Sequence, residues 1–180
     1  VGPSWFFANG FQTSHASSSN CNAHDVKRTL GLRLLEKRGL DNAEKAVLLL
    51  RESLKKDPDN AAIKLELADA LNMMTRIRTN GNSLVIEGTQ DSPAFKKVWQ
   101  TFGNEALPLA TDAREAFPHN VKALAVYADA FMFSSSAKGI IKQALTGAGT
   151  KYLAIAKELY KYPEFDGAVG CAFLGGFYAV

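Results

Sequence analysis

The chain has 180 residues, of which 47% are hydrophobic and 22% are charged, so it is long enough to bury the core of one globular domain. Its net charge of +3 is too small, and its basic residues are too interleaved with acidic ones, to favour nucleic acid or an anionic membrane surface as a partner. With two cysteines, Cys21 and Cys171, a disulfide framework is excluded, and one bridge or two unpaired thiols both remain open.

Residues 1–24 carry no Lys, Arg, Asp or Glu and show no apolar period, so we predict an irregular arm rich in Ser and aromatic residues. Trp5, Phe6 and Phe7 would each cost about 1.5–3 kcal/mol if they stayed in water. We therefore expect them to pack on the rest of the chain or on a partner. A chain that starts at Val1 is a processed product or a fragment, which favours an organellar or exported protein.

Residues 25–180 are predicted to form one helical domain, because apolar residues recur there every three or four positions. Asp25 is the expected N-cap of the first helix; Asp41, with Glu44 at capping-box spacing, is that of the second. A third helix should begin near Asn60. The apolar residues predicted to face the core are Leu30, Leu34 and Leu35, then Ala43, Ala46, Val47, Leu50 and Leu54, then Ile63, Leu67, Ala70, Leu71 and Met74.

The helical pattern breaks at residues 79–90, which contain several Gly and Asn and are predicted to form a loop. Ser92 then caps a long helix with Pro93 in its first turn. Gly103 and Pro108 are expected to bend or divide this helix. Later helices are predicted from Asn120, over 140–145, over 150–160 and from about residue 165, with Pro118 and Pro163 as stops between them.

A repeated pattern runs through these helices. Helix, turn, helix and proline recur, with the prolines at positions 58, 118 and 163. Large-small-large triplets recur on one face, at Leu30-Gly31 with Leu34, Leu67-Ala68 with Leu71, Tyr127-Ala128 with Phe131, and Leu174-Gly175 with Tyr178. The segment LDNAEKAVLLLRESLKKDPDNAAIKLELADAL resembles the tetratricopeptide repeat. The predicted fold is therefore all-α, with tetratricopeptide-like helical hairpins in a superhelix, insertions, and an irregular N-terminal arm; helical arrays of other families are the alternative.

A second resemblance covers roughly residues 39–178 of the chain. Ala137-Lys138-Gly139 leads into a helix, and Pro163 is followed by a glycine-rich helix within YPEFDGAVGCAFLGGFYAV. These features are similar to the periplasmic T component of tripartite ATP-independent transporters, which has degenerate repeats of this kind. That resemblance implies a soluble oligomer associated with a solute-binding protein.

No residue set in the sequence predicts catalysis. Cys21 and His24 have metal-ligand spacing, but a zinc site needs four ligands and no second pair is present. Residues 146–151 have the composition of a phosphate-binding loop without its spacing, so we predict a turn between helices there. We therefore predict that the chain is not an enzyme and uses no cofactor or metal.

The tetratricopeptide resemblance implies a concave surface, lined by the first helix of each hairpin, that takes an extended peptide or a partner helix. Asp69 and Asp129 are expected to line this groove or to pair with Arg76 and Lys122, in preference to acting as paired carboxylates. Met132 and Phe133 fit the groove and the core equally well. The predicted partner-binding residues are Asp69, Asn72, Met73 and Arg76 on one helix and Lys122, Asp129, Met132 and Phe133 on the next.

Three functional hypotheses follow. The first is an adaptor or assembly factor that binds another protein or peptide in the groove, without nucleic acid and without a membrane span. The second is an oligomeric transport accessory like the T component, with an apolar cavity lined by Phe95, Val98, Trp99 and Phe102. The third is a structural subunit of a membrane-associated complex, suggested by the aromatic arm and by the terminal stripe Ala172, Leu174 and Tyr178.

Overall fold

The computed structural model describes residues 23–83 and 92–178, with the backbone alone at positions 23, 24, 140, 141 and 144. Within these two ranges helices are the regular structure, and no strand is present, so the all-α prediction is confirmed there. The helices are α1 (Ala23–Glu36), α2 (Leu40–Lys56), α3 (Ala61–Arg78), α4 (Pro93–Val98), a π-helical turn (Trp99–Gly103), α5 (Asn104–Ala116), α6 (Val121–Ala137), α7 (Ile140–Leu145), α8 (Ala148–Leu159) and α9 (Val169–Tyr178).

The longer helices pack in chain order. α1 packs on α2, α2 on α3, α3 on α5, α5 on α6, α6 on α8 and α8 on α9, while α3 also packs directly on α6. The core runs continuously along this stack and is filled by alanines, aliphatic residues and a few large aromatics. α6 lies at its centre, with α3, α5, α8 and the π-helical turn around it.

Asparagine side chains cap two of the central helices, at the positions near which the sequence predicted that these helices begin. Oδ1 of Asn60 accepts hydrogen bonds from the backbone N–H groups of Ala62 and Ile63, at 3.1 and 3.2 Å. Asn120 does the same at the start of α6, with distances of 2.9 and 3.2 Å. Each cap satisfies backbone donors that have no partner inside the helix.

The predicted caps at Asp25 and Asp41 are wrong. α1 already begins at Ala23, and α2 begins at Leu40 with Gly39 as its N-cap and no side-chain cap. The turn between α1 and α2 is made by Arg38 and Gly39 at positive φ, and the second helix starts two residues earlier than the capping-box spacing implied. Asp41 falls instead in the first turn, where a negative charge interacts favourably with the helix dipole.

Most of the predicted core residues are buried, but α1 buries a different face from the one predicted. In α2 and α3 every predicted core residue is buried except Leu54, which is half-buried. In α1, Leu30 is 48% exposed and Leu35 is buried. The reason is that α1 meets α2 through Gly31, where an added Cβ would lie 3.2 Å from Cγ of Leu50.

The long predicted helix is divided at Gly103, and α5 continues through Pro108. The division is a π-helical turn that buries Trp99 completely, and the indole N–H donates to the backbone oxygen of Asn82 at 3.2 Å. A Cβ on Gly103 would lie 3.0 Å from the backbone of Phe133, so the absence of a side chain lets this turn approach α6 closely.

The last helix starts at Val169, later than predicted, because Asp166, Gly167 and Ala168 all have positive φ and hold the chain in a turn. On α9, Ala172 and Tyr178 are exposed and Leu174 is half-buried. Across residues 23–83 and 92–178, no helix combines the length and the apolar character that crossing a membrane requires. The predicted arm, Cys21 and most of the predicted 79–90 loop lie outside the described residues.

Candidate partner-binding groove

Two ion pairs join α3 to α6. Nζ of Lys122 lies 3.0 Å from Oδ2 of Asp69, and Arg76 forms a two-point pair with Asp129, in which Nε lies 3.3 Å from Oδ2. Arg76 and Asp129 are 53 positions apart in the sequence, and so are Asp69 and Lys122. The two helices therefore run parallel and in register, and the expected pairing of these four side chains is confirmed.

A concave pocket of about 510 Å³ opens beside these ion pairs, and we call it the polar groove. Four of the eight predicted partner-binding residues line it, together with an apolar base from α6 and α9 and two charges from the turns that precede α2 and α9. Its lining consists of Arg38, Asp69, Arg76, Lys122, Ala125, Val126, Asp129, Phe165, Asp166 and Val169.

Asp129 is the most enclosed charge in the polar groove. Its side chain is 17% exposed, against 45% for Arg76, so the carboxylate lies beneath the guanidinium. Burial raises the pKa of Asp129, and the negative charges of Asp69 and Asp166 act in the same direction, while the charge of Arg76 opposes them. For Arg76, burial lowers the pKa, but the charge and hydrogen bond of Asp129 outweigh it and the net shift is upward. The groove is thus built around one ion pair, whose carboxylate is largely enclosed and whose guanidinium is exposed.

Arg38 and Asp166 were missed by the sequence prediction. Each lies on a turn at positive φ, 53° and 45° respectively, in a region that residues other than glycine seldom adopt. Within the described ranges neither side chain has an ion-pair partner, although Asp166 is close enough to affect the pKa values of Arg76 and Asp129. The available signal was a glycine directly after each residue, since such dipeptides mark turns.

Comparison of the chain with protein-family models, with curated proteins and with solved structures finds no match. The role of the groove must therefore be inferred from its own geometry. In the part of the chain that the structure describes, no three His, Cys, Asp or Glu side chains are grouped to hold a metal ion. The groove presents paired and unpaired charges over an apolar base.

The other four predicted residues do not line the polar groove. Asn72 is 2% exposed, and its amide donates to the backbone oxygen of Val126 at 2.9 Å, which ties α3 to α6. Met73 is half-buried against the core, while Met132 and Phe133 are 9% and 0% exposed. The predicted groove placement of Asn72 and Met73 is therefore not found. For Met132 and Phe133 the core alternative holds, because α6 is covered on several sides at once.

A second, mostly apolar cavity of about 180 Å³ lies further along α6, and we call it the apolar cavity. Its lining consists of Phe131, Met132, Ser135, Gln143, Ala148, Gly149, Tyr152 and Phe177. Nε2 of Gln143 is buried and has no hydrogen-bond partner within the described residues. None of the residues predicted to line an apolar cavity, Phe95, Val98, Trp99 and Phe102, lines this one, and Trp99 is buried in the core.

Tyr152 lines the apolar cavity and packs against α9. Its ring stacks on Phe173 and Phe177, and its hydroxyl donates to the backbone oxygen of Phe173 at 3.2 Å. Burial raises the pKa of Tyr152 to about 12, with a further contribution from the negative charge of Asp129.

Proposed function

We propose that the chain is a non-catalytic scaffold or assembly factor that binds a segment of a partner protein in the polar groove. The observation that carries the proposal is the gathering of four predicted partner-binding side chains on one concave surface of about 510 Å³. An apolar base with charged walls suits an extended peptide, since apolar side chains contribute contact area and charges select the partner.

The packing order of the helices supports a tetratricopeptide-like superhelix as the scaffold. α1 packs on α2, α3 on α5 and α6 on α8, as successive helical hairpins would, and α3 packs directly on α6, as the first helices of neighbouring hairpins would. In such an array the first helices face inward. Residues of both α3 and α6 line the polar groove. It therefore lies on the side where a tetratricopeptide-like array would bind an extended peptide.

The test is groove-dependent capture of a partner. Asp69→Ala with Arg76→Ala removes two of the four charges on the helix walls, and we expect it to weaken partner capture from source material by about tenfold or more. Native mass spectrometry of the captured complexes gives the measurement. Capture that is unchanged in this variant contradicts the proposal.

Two further variants separate binding from folding. Asp69→Ala with Lys122→Ala removes both members of the more exposed ion pair and leaves Arg76 and Asp129 intact, so it should fold normally and still weaken capture. Lys27→Ala with Glu52→Ala removes an exposed ion pair between α1 and α2, outside the groove, and should leave capture unchanged.

A second candidate function is a transport accessory of the T-component type that carries a small apolar ligand, and the apolar cavity favours it. Its volume of about 180 Å³ is comparable to that of engineered cavities, about 150 Å³, that stay dry and bind benzene. The unpartnered amide of Gln143 adds one hydrogen-bond donor for a ligand oxygen.

Retention of a ligand tests this second function. Native mass spectrometry of the chain purified from its source should show a bound small molecule, in an oligomer of the chain. Gly149→Leu should abolish retention, because a side chain there grows toward Phe177 and fills the cavity. Gly175→Leu, where an added Cβ meets no atom within 4 Å, is the matched control. A chain that carries no ligand in any of these forms rules the function out.

A further inference from the structure

We propose that the polar groove recognises a partner segment carrying both an acidic and a basic side chain, with Arg38 receiving the acidic one and Asp166 the basic one. This inference rests on the proposed function and names the chemistry of its partner.

Four of the six charges in the groove neutralise one another. Lys122 pairs with Asp69, and Arg76 pairs with Asp129 at two points. A ligand that displaced either pair would have to replace its interactions, and breaking the enclosed Arg76–Asp129 pair would leave a buried charge without a partner. A ligand therefore contacts these pairs without breaking them.

Arg38 and Asp166 are the charges of the groove that are free to form ion pairs with a ligand. Both line the groove, both are exposed, and within residues 23–83 and 92–178 neither forms an ion pair. They have opposite sign and come from different turns, the first before α2 and the second before α9. A ligand that satisfies both must itself carry a negative and a positive group.

The backbone holds these two residues in place at some cost. Positive φ at a residue other than glycine is sparsely populated, and Arg38 and Asp166 are two of four such residues in the described ranges. The turn at Asp166 also brings Phe165 and Val169 into the groove, so charge and apolar surface are presented together. This combination fits a side-chain pair separated by an apolar residue.

A peptide segment fits the groove better than a free amino acid. The volume of about 510 Å³ lies in the range of pockets that enclose a drug-sized molecule or a short peptide. A single zwitterion would leave the apolar base formed by Ala125, Val126 and Val169 uncovered. Three positive and three negative side chains line the groove, so it gives no net preference for a purely acidic or purely basic segment.

The experiment uses an array of synthetic heptapeptides with blocked termini. Each carries one Glu and one Lys in an Ala and Leu background, in both orders and at every spacing, beside peptides in which Gln replaces both. We expect the chain to retain one order and spacing at least about tenfold better than the neutral peptides. Arg38→Glu with Asp166→Lys should reverse the preferred order. Lys45→Glu with Glu115→Lys, two exposed charges outside the groove, is the control and should change nothing.

Three results would overturn the inference: no peptide retained, equal retention of charged and neutral peptides, or an order unaffected by the charge reversal. Displacement of the peptides by free glutamate and lysine would identify a small zwitterion as the ligand. That result would also overturn the inference that the partner is a peptide segment. If capture of the natural partner depends on Asp69 and Arg76 but not on Arg38 and Asp166, the proposed function stands and this inference fails.

Discussion

Asp129 is the acidic side chain on which the polar groove depends, because it lies beneath Arg76 and is the less exposed member of their pair. Arg76→Ala should destabilise the fold by about 1–3 kcal/mol at pH 7, less than the 3–5 kcal/mol typical of fully buried pairs, since Arg76 is 45% exposed. Urea denaturation measures the change. Asp129→Leu combined with Arg76→Met should restore most of the loss, because no unpaired charge then remains buried.

The loss of stability caused by Arg76→Ala should depend on pH in a defined direction. Burial already raises the pKa of Asp129 in the folded chain, and removing Arg76 takes away the charge that opposes the rise. A carboxyl whose pKa is higher in the folded state favours folding at low pH and disfavours it once it ionises. The stability difference between wild type and Arg76→Ala should therefore narrow from pH 7 toward pH 4. A stability difference that does not change with pH would contradict the raised pKa of Asp129.

Tyr152 should titrate with a midpoint of about 12, against an ordinary value near 10. The folded chain therefore holds the phenol protonated where the unfolded chain ionises it, and stability should fall by roughly 2–3 kcal/mol between pH 10 and 12. The phenolate absorbance that Tyr152→Phe removes gives the midpoint. Asp129→Asn should lower it, because the charge of Asp129 contributes to the shift; a midpoint near 10 in the wild type would show that the ring is not buried.

At the scale of the helices, the asparagine caps should make measurable contributions. Asn60→Ala and Asn120→Ala each remove an acceptor for two backbone N–H groups, so each should cost about 0.5–2 kcal/mol of stability in chemical denaturation. Asp41→Ala is the control, since Asp41 makes no cap hydrogen bond, and it should cost only a few tenths of a kcal/mol. A larger loss at Asp41 than at Asn60 would refute the helix boundaries.

α9 approaches α8 most closely at a glycine, Gly170. A Cβ on Gly170 would lie 2.5 Å from the backbone oxygen of Leu159, so Gly170→Ala must push the two helices apart and should cost about 1–3 kcal/mol. Gly175→Ala on the same helix meets no atom within 4 Å and should stabilise it by up to about 1 kcal/mol. Thermal denaturation of both variants tests the docking of α9; similar behaviour of the pair would contradict it.

The helices were predictable because their signals are local. Asn60 and Asn120 cap within three residues, and the apolar period of α2 and α3 is complete in the sequence. The displaced face of α1 was not predictable, since it depends on where Gly31 meets another helix.

The site was only half predictable, for a physical reason. The charges that pair across α3 and α6 follow from helix periodicity, so Asp69, Arg76, Lys122 and Asp129 were found. The burial of Phe133 depends on the π-helical turn that covers α6, a contact between distant parts of the chain. The positions of Arg38 and Asp166 depend in the same way on two turns that meet only in the folded molecule.

At the scale of the whole molecule, the register of α3 and α6 has a consequence for how a partner arrives. Along α3 the sign changes from Asp69 to Arg76 over two helical turns, about 10.5 Å, and along α6 it changes in the opposite sense from Lys122 to Asp129. This diagonal pattern is an electrostatic quadrupole, whose field falls off with distance faster than that of a net charge.

An approaching partner therefore receives little long-range guidance, and salt screens what remains within a Debye length of about 8 Å. Association should proceed at the ordinary unsteered rate of about 10⁵–10⁶ M⁻¹s⁻¹, with little dependence on ionic strength. Discrimination begins only after contact, in the rate of dissociation. A groove of this kind selects its partners by their residence time in the complex.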